Sequence, residues 1–294
     1  MRKFINLLKR KIASLLGTTS IEVIYQNVAR IKDVCTNIQI DEYLQKNLFQ
    51  NKVYSESKRI THHHRSVYTQ NGEDGIIEEI FKRIGVTNKY FVEFGVHGVK
   101  NNSTLLLIKN WTGLWIGGSE LSKQFISGKF KSLQDSSKLT FVHRWITKGN
   151  IEKIFEENRV PKEFDFLSID LDGNDYWIWD AIKNYSPRVV CVEYNATFPA
   201  SLPWVMTYNE KHSWDQSSYF GASLKSLEIL GKRKGYELIG CDFAGCNAFF
   251  IRNDQNLDLF ERPFTSEHHY EPPRYYLKRP SGHKQGFGPF EQVS

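Results

Sequence analysis

At 294 residues, 40% of them hydrophobic and 14% aromatic, the chain suits one large domain with additions and is too apolar for disorder over most of its length. The net charge of +6 is mildly basic, but Lys and Arg are dispersed and no nucleic-acid-reading motif appears, so no nucleic-acid partner is expected. Four cysteines (Cys35, Cys191, Cys241, Cys246) show neither disulfide density nor zinc spacing, which fits a reducing, cytoplasmic compartment.

Residues 1–60 read as an N-terminal helical extension. Over 2–16, Phe4, Ile5, Leu7, Leu8, Ile12, Leu15 and Leu16 share one helical side, opposite Arg2, Lys3, Lys9 and Arg10. Lys9, Arg10 and Lys11 interrupt the apolar run that a secretory signal needs. The pattern suits an interfacial helix touching the inner membrane surface, or a helix packed on protein. Beyond Gly17, the residues Ile21, Ile24, Val28, Ile31, Cys35 and Ile38 step alternately by three and four. That spacing fits a coiled-coil seam in a homo-oligomer, or a face packed on its own domain. No segment offers the ~20 apolar residues of a membrane span.

From 61 to 255, strands and helices alternate. Strands are predicted at 90–95, 114–116, 139–143, 164–170, 188–193, 236–241 and 248–252. Helices are predicted at 102–110, 121–133, 151–158, 176–184 and 219–234. Such alternation implies an α/β domain, a mainly parallel sheet with helices on both faces, and an antiparallel final hairpin strand at its edge. Residues 256–294 form an irregular tail rich in Pro, Tyr, His and Arg, expected to fold over a site.

The first strand runs through Glu93 into Gly95 and Gly98, an E-x-G-x-x-G spacing. The glycines permit a tight turn and close approach of a ligand to the backbone at the carboxyl edge of a parallel sheet. An acid at the strand end repels a pyrophosphate but suits a cationic amino-acid group, so S-adenosylmethionine fits better than a dinucleotide.

The stretches 68–75 (YTQNGEDG), 91–98 (FVEFGVHG), 101–104 (NNST), 113–116 (GLWI), 167–175 (LSIDLDGND), 192–195 (VEYN) and 218–224 (SYFGASL) occur in that order. As an ordered set they resemble the FkbM-type S-adenosylmethionine-dependent methyltransferases and their relatives in polysaccharide gene clusters. The resemblance covers roughly 65–255. It implies a Rossmann-like, seven-stranded class I methyltransferase sheet, here with the helical extension and the tail. It also implies O-methylation of a hydroxyl on a sugar, nucleotide sugar or other glycan acceptor. Glu93, Gly95 and Gly98 would then line the methionine side of the cofactor, and Gln70 would approach it from before the first strand. One departure stands out: such enzymes end the second strand in an acid for the ribose, and Gly117 occupies that position. Ser119 and Glu120 are the nearest substitutes, and His143 ends the third strand beside them.

Asp170 and Asp172 are two apart on an extended segment, so both point the same way into the crevice. Glu193 and Asn195 end the neighbouring strand. Asp170, Glu193 and Asn195 would form an oxygen-only set suited to magnesium or manganese, which would lower the hydroxyl's proton affinity. Without a metal, a carboxylate (Asp170 or Asp172) or His212 would be the general base. His97, in the glycine loop, and Arg274, Lys278 and Arg279, in the tail, are further contact candidates, and Trp204, Trp214 and Tyr219 would supply a stacking wall for a sugar ring. Asn174 and Asp175 read as the cap and first turn of a helix. Two other readings stand beside the methyltransferase: a nucleotide-dependent Rossmann enzyme modifying sugars, and a non-catalytic partner protein that kept the fold.

Overall fold

The computed structural model describes residues 18–96, 98–277 and 283–294. The basic amphipathic segment 2–16, His97, Lys278 and Arg279 lie outside the described residues. The chain divides into two units, Met1–Lys52 and Val53–Ser294. In the first, helix α1 (Thr18–Leu44) passes into a π-helical turn, Gln45–Phe49. The division falls earlier than residue 60 because the segment after Lys52 is bound into the second unit. Tyr54 Oη donates to Glu271 (2.8 Å), and Thr61 Oγ1 donates to the carbonyl of Cys241 (2.9 Å). No helix among the described residues is long and apolar enough to cross a membrane.

The second unit is built on a seven-stranded sheet. Its strands are β1 (Tyr90–Phe94), β2 (Thr112–Gly117), β3 (Leu139–His143), β4 (Glu163–Ile169), β5 (Ser186–Glu193), β7 (Tyr236–Cys241) and β8 (Asn247–Arg252). They lie in the order β3-β2-β1-β4-β5-β8-β7. β3 through β5 run parallel, and β8 is antiparallel to both β5 and β7. This is the Rossmann-like class I methyltransferase sheet. One expectation is corrected: the antiparallel strand is not at the edge. β8 inserts between β5 and β7, because its apolar residues Ala248, Phe249, Phe250 and Ile251 are buried on both faces, as suits an inner strand.

Alternation of side chains along the strands feeds two cores. Val92, Leu167, Val190 and Val192 pack on one face with helices α6 (Ile151–Glu157), α7 (Asp175–Ala181) and α8 (Leu224–Arg233). Phe91, Phe166, Val189 and Cys191 pack on the other with α2 (Glu73–Ile84), α3 (Thr104–Ile108) and α4 (Glu120–Lys129). A fifth short helix, α5 (Lys131–Asp135), follows a break at Phe130, where one helix over 121–133 is predicted. The helix predicted from 219 begins only at Leu224, since Ser223 is its cap and its Oγ accepts from the amide of Ser226 (3.2 Å).

The tail belongs to the second unit. After the short helix α9 (Ser266–His269), it ends in β9 (Phe290–Gln292), which pairs antiparallel with β6 (Trp204–Met206). Tyr194 Oη donates to the carbonyl of Glu271 (2.7 Å), and Tyr270 Oη to that of Ala196 (2.6 Å). The tail therefore lies on the loops that follow β5.

Candidate functional site

In an open parallel sheet a ligand crevice opens where strand order reverses, at the carboxyl ends of the two strands that flank the reversal. Here those strands are β1 and β4. They end in Gly95 and Asp170, which approach so closely that a Cβ on Gly95 would stand 1.5 Å from the Asp170 carbonyl oxygen. Gly95 also has φ +73°, in the left-handed region. The crevice has two lobes that share both residues. One, about 210 Å³, is lined by Gly117, Gly118, Ser119, Trp145, Ile146 and Asp172, with His212 and Trp214 opposite. The other, about 360 Å³, is lined by Gln70, Glu93, Gly98, Lys100, Asn102 and Phe125.

Glu93 is expected from the strand end to meet a cationic group, but both its oxygens already hold the glycine loop. Oε1 accepts from the Asn102 amide (2.6 Å), and Oε2 from the Ser103 amide (2.9 Å) and, closer, the Ser103 hydroxyl. Trp115 Nε1 donates to that same hydroxyl (2.7 Å). Burial drives the Glu93 pKa up to about 7 against these hydrogen bonds, and Glu73 nearby adds to the rise. Asp74 has a matching role before the first strand. One of its oxygens takes the amides of Val67, Tyr68 and Thr69, which brings Gln70 to the rim.

Asp170, Asp172 and Glu193 each offer a carboxylate oxygen within 4.8 Å of the others. Burial, then the charges of Asp172, Asp175 and Glu93, push the Asp170 pKa well up; Glu193 is raised likewise, by burial and then by Asp170 and Asp172. Glu193 Oε2 is buried and has no hydrogen-bond partner. Three acids held this closely favour uptake of protons or a cation.

Asn195 does not join them, which corrects the expected set. Its Nδ2 donates to the carbonyls of Ser218 and Phe220 (both 2.9 Å), and its Oδ1 accepts from the Thr197 amide (3.1 Å). Beyond Glu193 the chain has left the strand, so the two-residue repeat no longer applies, and Asp172 completes the trio. Asn174 is not a side-chain cap either: it ties the turn to the 207–215 loop through Asn209 O (2.8 Å). Asp175 accepts from the amides of Leu171 (2.7 Å) and Gly173 (2.9 Å), fixing the turn on which Asp172 sits at φ +53°.

His212 comes to the same place from that loop. Its Nε2 stands 3.1 Å from the Asp172 carbonyl oxygen. A carbonyl only accepts, so Nε2 is the donor in this contact.

At the end of β2, Gly117 has no room to spare. A Cβ there would meet Val96 O at 3.0 Å and Val96 Cγ2 at 3.2 Å. Glu120 does not reach back in its place. It faces outward at 62% exposure, against Lys123 (3.2 Å) and His143 Nδ1 (3.6 Å). His143 Nε2 is in turn 3.1 Å from Gly118 O. Neither Glu120 nor His143 lines either lobe; Ser119, the cap of α4, does. The sequence reading missed Lys100, Phe125 and Trp145; Trp214, read as part of a stacking wall, does line the first lobe. Lys100 and Phe125 follow the glycine loop at short range, but Trp145 is placed by a bond across the fold, Nε1 to Glu210 O (2.7 Å). A second acid–imidazole group, Glu261, His268 and His269, is also compact, but Glu261 already faces the buried guanidinium of Arg59 (3.6 Å).

The strand order and the crevice at its reversal define the class I methyltransferase fold. No family model matches the chain, and no curated protein matches it. Among solved structures it is similar to an O-methyltransferase from Bacillus cereus in complex with SAH, at 16% identity over 54% of this chain and 73% of that one, TM-score 0.36. It is similar to an S-adenosylmethionine-dependent methyltransferase from Clostridium acetobutylicum at 9% identity, over 63% and 92%, TM-score 0.40. It is also similar to the N-terminal domain of EvdMO1 in the presence of SAH and D-fucose, at 9% identity over 62% and 82%, TM-score 0.40. At these values the fold assignment rests on the strand order itself.

Proposed function

We propose that the protein is an S-adenosylmethionine-dependent O-methyltransferase of the FkbM type, acting in the cytoplasm on a hydroxyl of a sugar, nucleotide sugar or glycan. The observation that carries this reading is the acidic crevice at the β1–β4 reversal. Asp170 borders both lobes, Asp172 and Glu193 stand beside it, and Arg144 at the rim is drawn off by Glu157 (2.6 Å). A dinucleotide would set its phosphates among these carboxylates, whereas a sulfonium cofactor brings positive charge to them. The lobe with Gly117, Gly118 and Ile146 would take the adenosine. Lys100, which lines the other lobe, would take the α-carboxylate of the methionine end.

Bound there, S-adenosylmethionine supplies an electrophilic methyl group on sulfur. Trp145 and Trp214, which line the first lobe, would offer aromatic surface to a sugar ring. His212 Nδ1 would take the proton of the acceptor hydroxyl as that oxygen accepts the methyl group. A second reading has its own support in the unpartnered Glu193 Oε2: Asp170, Asp172 and Glu193 would hold magnesium or manganese, lowering the hydroxyl's proton affinity.

Calorimetry decides the cofactor: S-adenosylhomocysteine is expected to bind and NAD to give no heat, and the reverse would overturn the reading. Turnover on a panel of sugars and nucleotide sugars then separates the two chemistries. Loss in EDTA with recovery in magnesium supports the metal. Full activity in EDTA, with a drop of at least ~100-fold in His212→Ala, supports the imidazole base.

A further inference from the structure

Helix α1 carries an apolar line that is exposed among the described residues. Ile24, Val28, Ile31 and Ile38 are 61%, 59%, 62% and 52% exposed, and Cys35, on the same line, is exposed too. A helix this long and this solvated gains little from its own hydrogen bonds, and most helical stability comes from covering an apolar face. The steps of four, three, four and three average 3.5 residues, the repeat of a supercoiled seam and not the 3.6 of a straight helix on a sheet.

The flanking residues identify the occupant. In a parallel, in-register pair Asn27 faces Lys32 of the partner subunit, and Val34 faces Gln39 of the partner subunit, so no like charges meet. A lipid surface fits poorly, since Arg30 and Lys32 are outnumbered by Glu22, Asp33, Asp41 and Glu42 and anionic head groups would be repelled. We propose that α1 pairs in parallel and in register with α1 of a second copy, so that the protein is a homodimer with Cys35 facing Cys35 of the partner subunit. The proposal does not depend on the cofactor or the reaction.

The full chain tests it by sedimentation equilibrium and by cross-linking with copper–phenanthroline. Each cross-link forms one S–S bond from two thiols, whose two electrons pass to the oxidant and whose two protons pass to solvent. The expected mass is twice the 34.3 kDa of one chain, with a cross-linked dimer that Cys35→Ser abolishes. The other cysteines are buried or half-buried, which keeps the readout on Cys35. The double variant Ile24→Glu, Ile31→Glu is expected to weaken association by about 100-fold or more with the thermal midpoint of the second unit unchanged. Four outcomes would overturn the proposal. They are a single-chain mass at micromolar concentration, a dimer indifferent to the double variant, a dimer that never cross-links at Cys35, and a monomer that sediments with phosphatidylserine–phosphatidylcholine vesicles.

Discussion

Gly98→Leu is expected to weaken S-adenosylhomocysteine binding by about 100-fold or more in calorimetry while the thermal midpoint stays within a degree or two. Gly98 lines the larger lobe, and its φ lies outside the left-handed region. Among the described residues, a Cβ there would meet Phe125 Cε1 at 3.7 Å and Cδ1 at 3.9 Å, both ordinary contacts. The leucyl side chain would therefore extend into open space and fill the lobe without moving the backbone; a loss of that size corresponds to about 2.7 kcal/mol. Gly95 cannot serve for this purpose, because any side chain there collides with Asp170 O and breaks the loop itself. Unchanged affinity in Gly98→Leu would remove the larger lobe from the cofactor site.

The second large effect lies at the opposite end of the sheet. Asp165, fully buried at the start of β4, accepts from the amides of Thr87, Asn88 and Lys89, from the Thr87 hydroxyl, and from Arg188 Nη1 at 2.7 Å. Burial alone would raise its pKa, but the Arg188 guanidinium and the Thr87 and Lys89 amides outweigh it and hold the carboxyl below its ordinary value. Asp165→Ala leaves the buried Arg188 and four donors without their acceptor, at a cost of roughly 3–5 kcal/mol. For a domain of this size that lowers the midpoint by on the order of 10 °C. A folded-state pKa below the unfolded one means a contribution present above the unfolded carboxylate pKa and lost as pH falls through the folded value. The gap between the natural protein and Asp165→Ala should therefore close on acidification below about pH 4. A midpoint unchanged at pH 7 would show the network to be dispensable. Cofactor affinity should be unaffected, since β4 carries Asp165 and Asp170 at opposite ends.

Most of the sheet was legible because its strands are short apolar runs with glycine, acid or asparagine at their ends, as in 91–95 and 188–195. β6 and β9 were not. Each is three residues long, and Trp204 finds Gln292 only through a contact that no local pattern announces. The site divides in the same way. Gly95, Asp170, Asp172 and Glu193 follow from position, since a residue at the carboxyl end of a parallel strand faces the crevice whatever surrounds it. Asn195, Glu120 and His143 depend on who hydrogen-bonds them, and those partners come from a loop some two dozen residues on, from a neighbouring turn and from across the strands. Side-chain chemistry says what these residues can do; tertiary contacts decide what is left for them to do.

The place of β8 between β5 and β7 governs how the chain is put together during synthesis. β5 ends at Glu193, but the strand that covers its open flank ends at Arg252, about 60 residues later. At roughly 5–20 residues per second, that flank waits some 3–12 s after β5 has been made. β7 emerges first yet cannot fill the gap, because it reaches the sheet only through β8, as one arm of a hairpin closed by Asp242 on the amides of Cys246 and Asn247. A nascent chain halted before residue 247 would offer a protease, or another unfinished copy, the bare backbone of Val189 to Glu193.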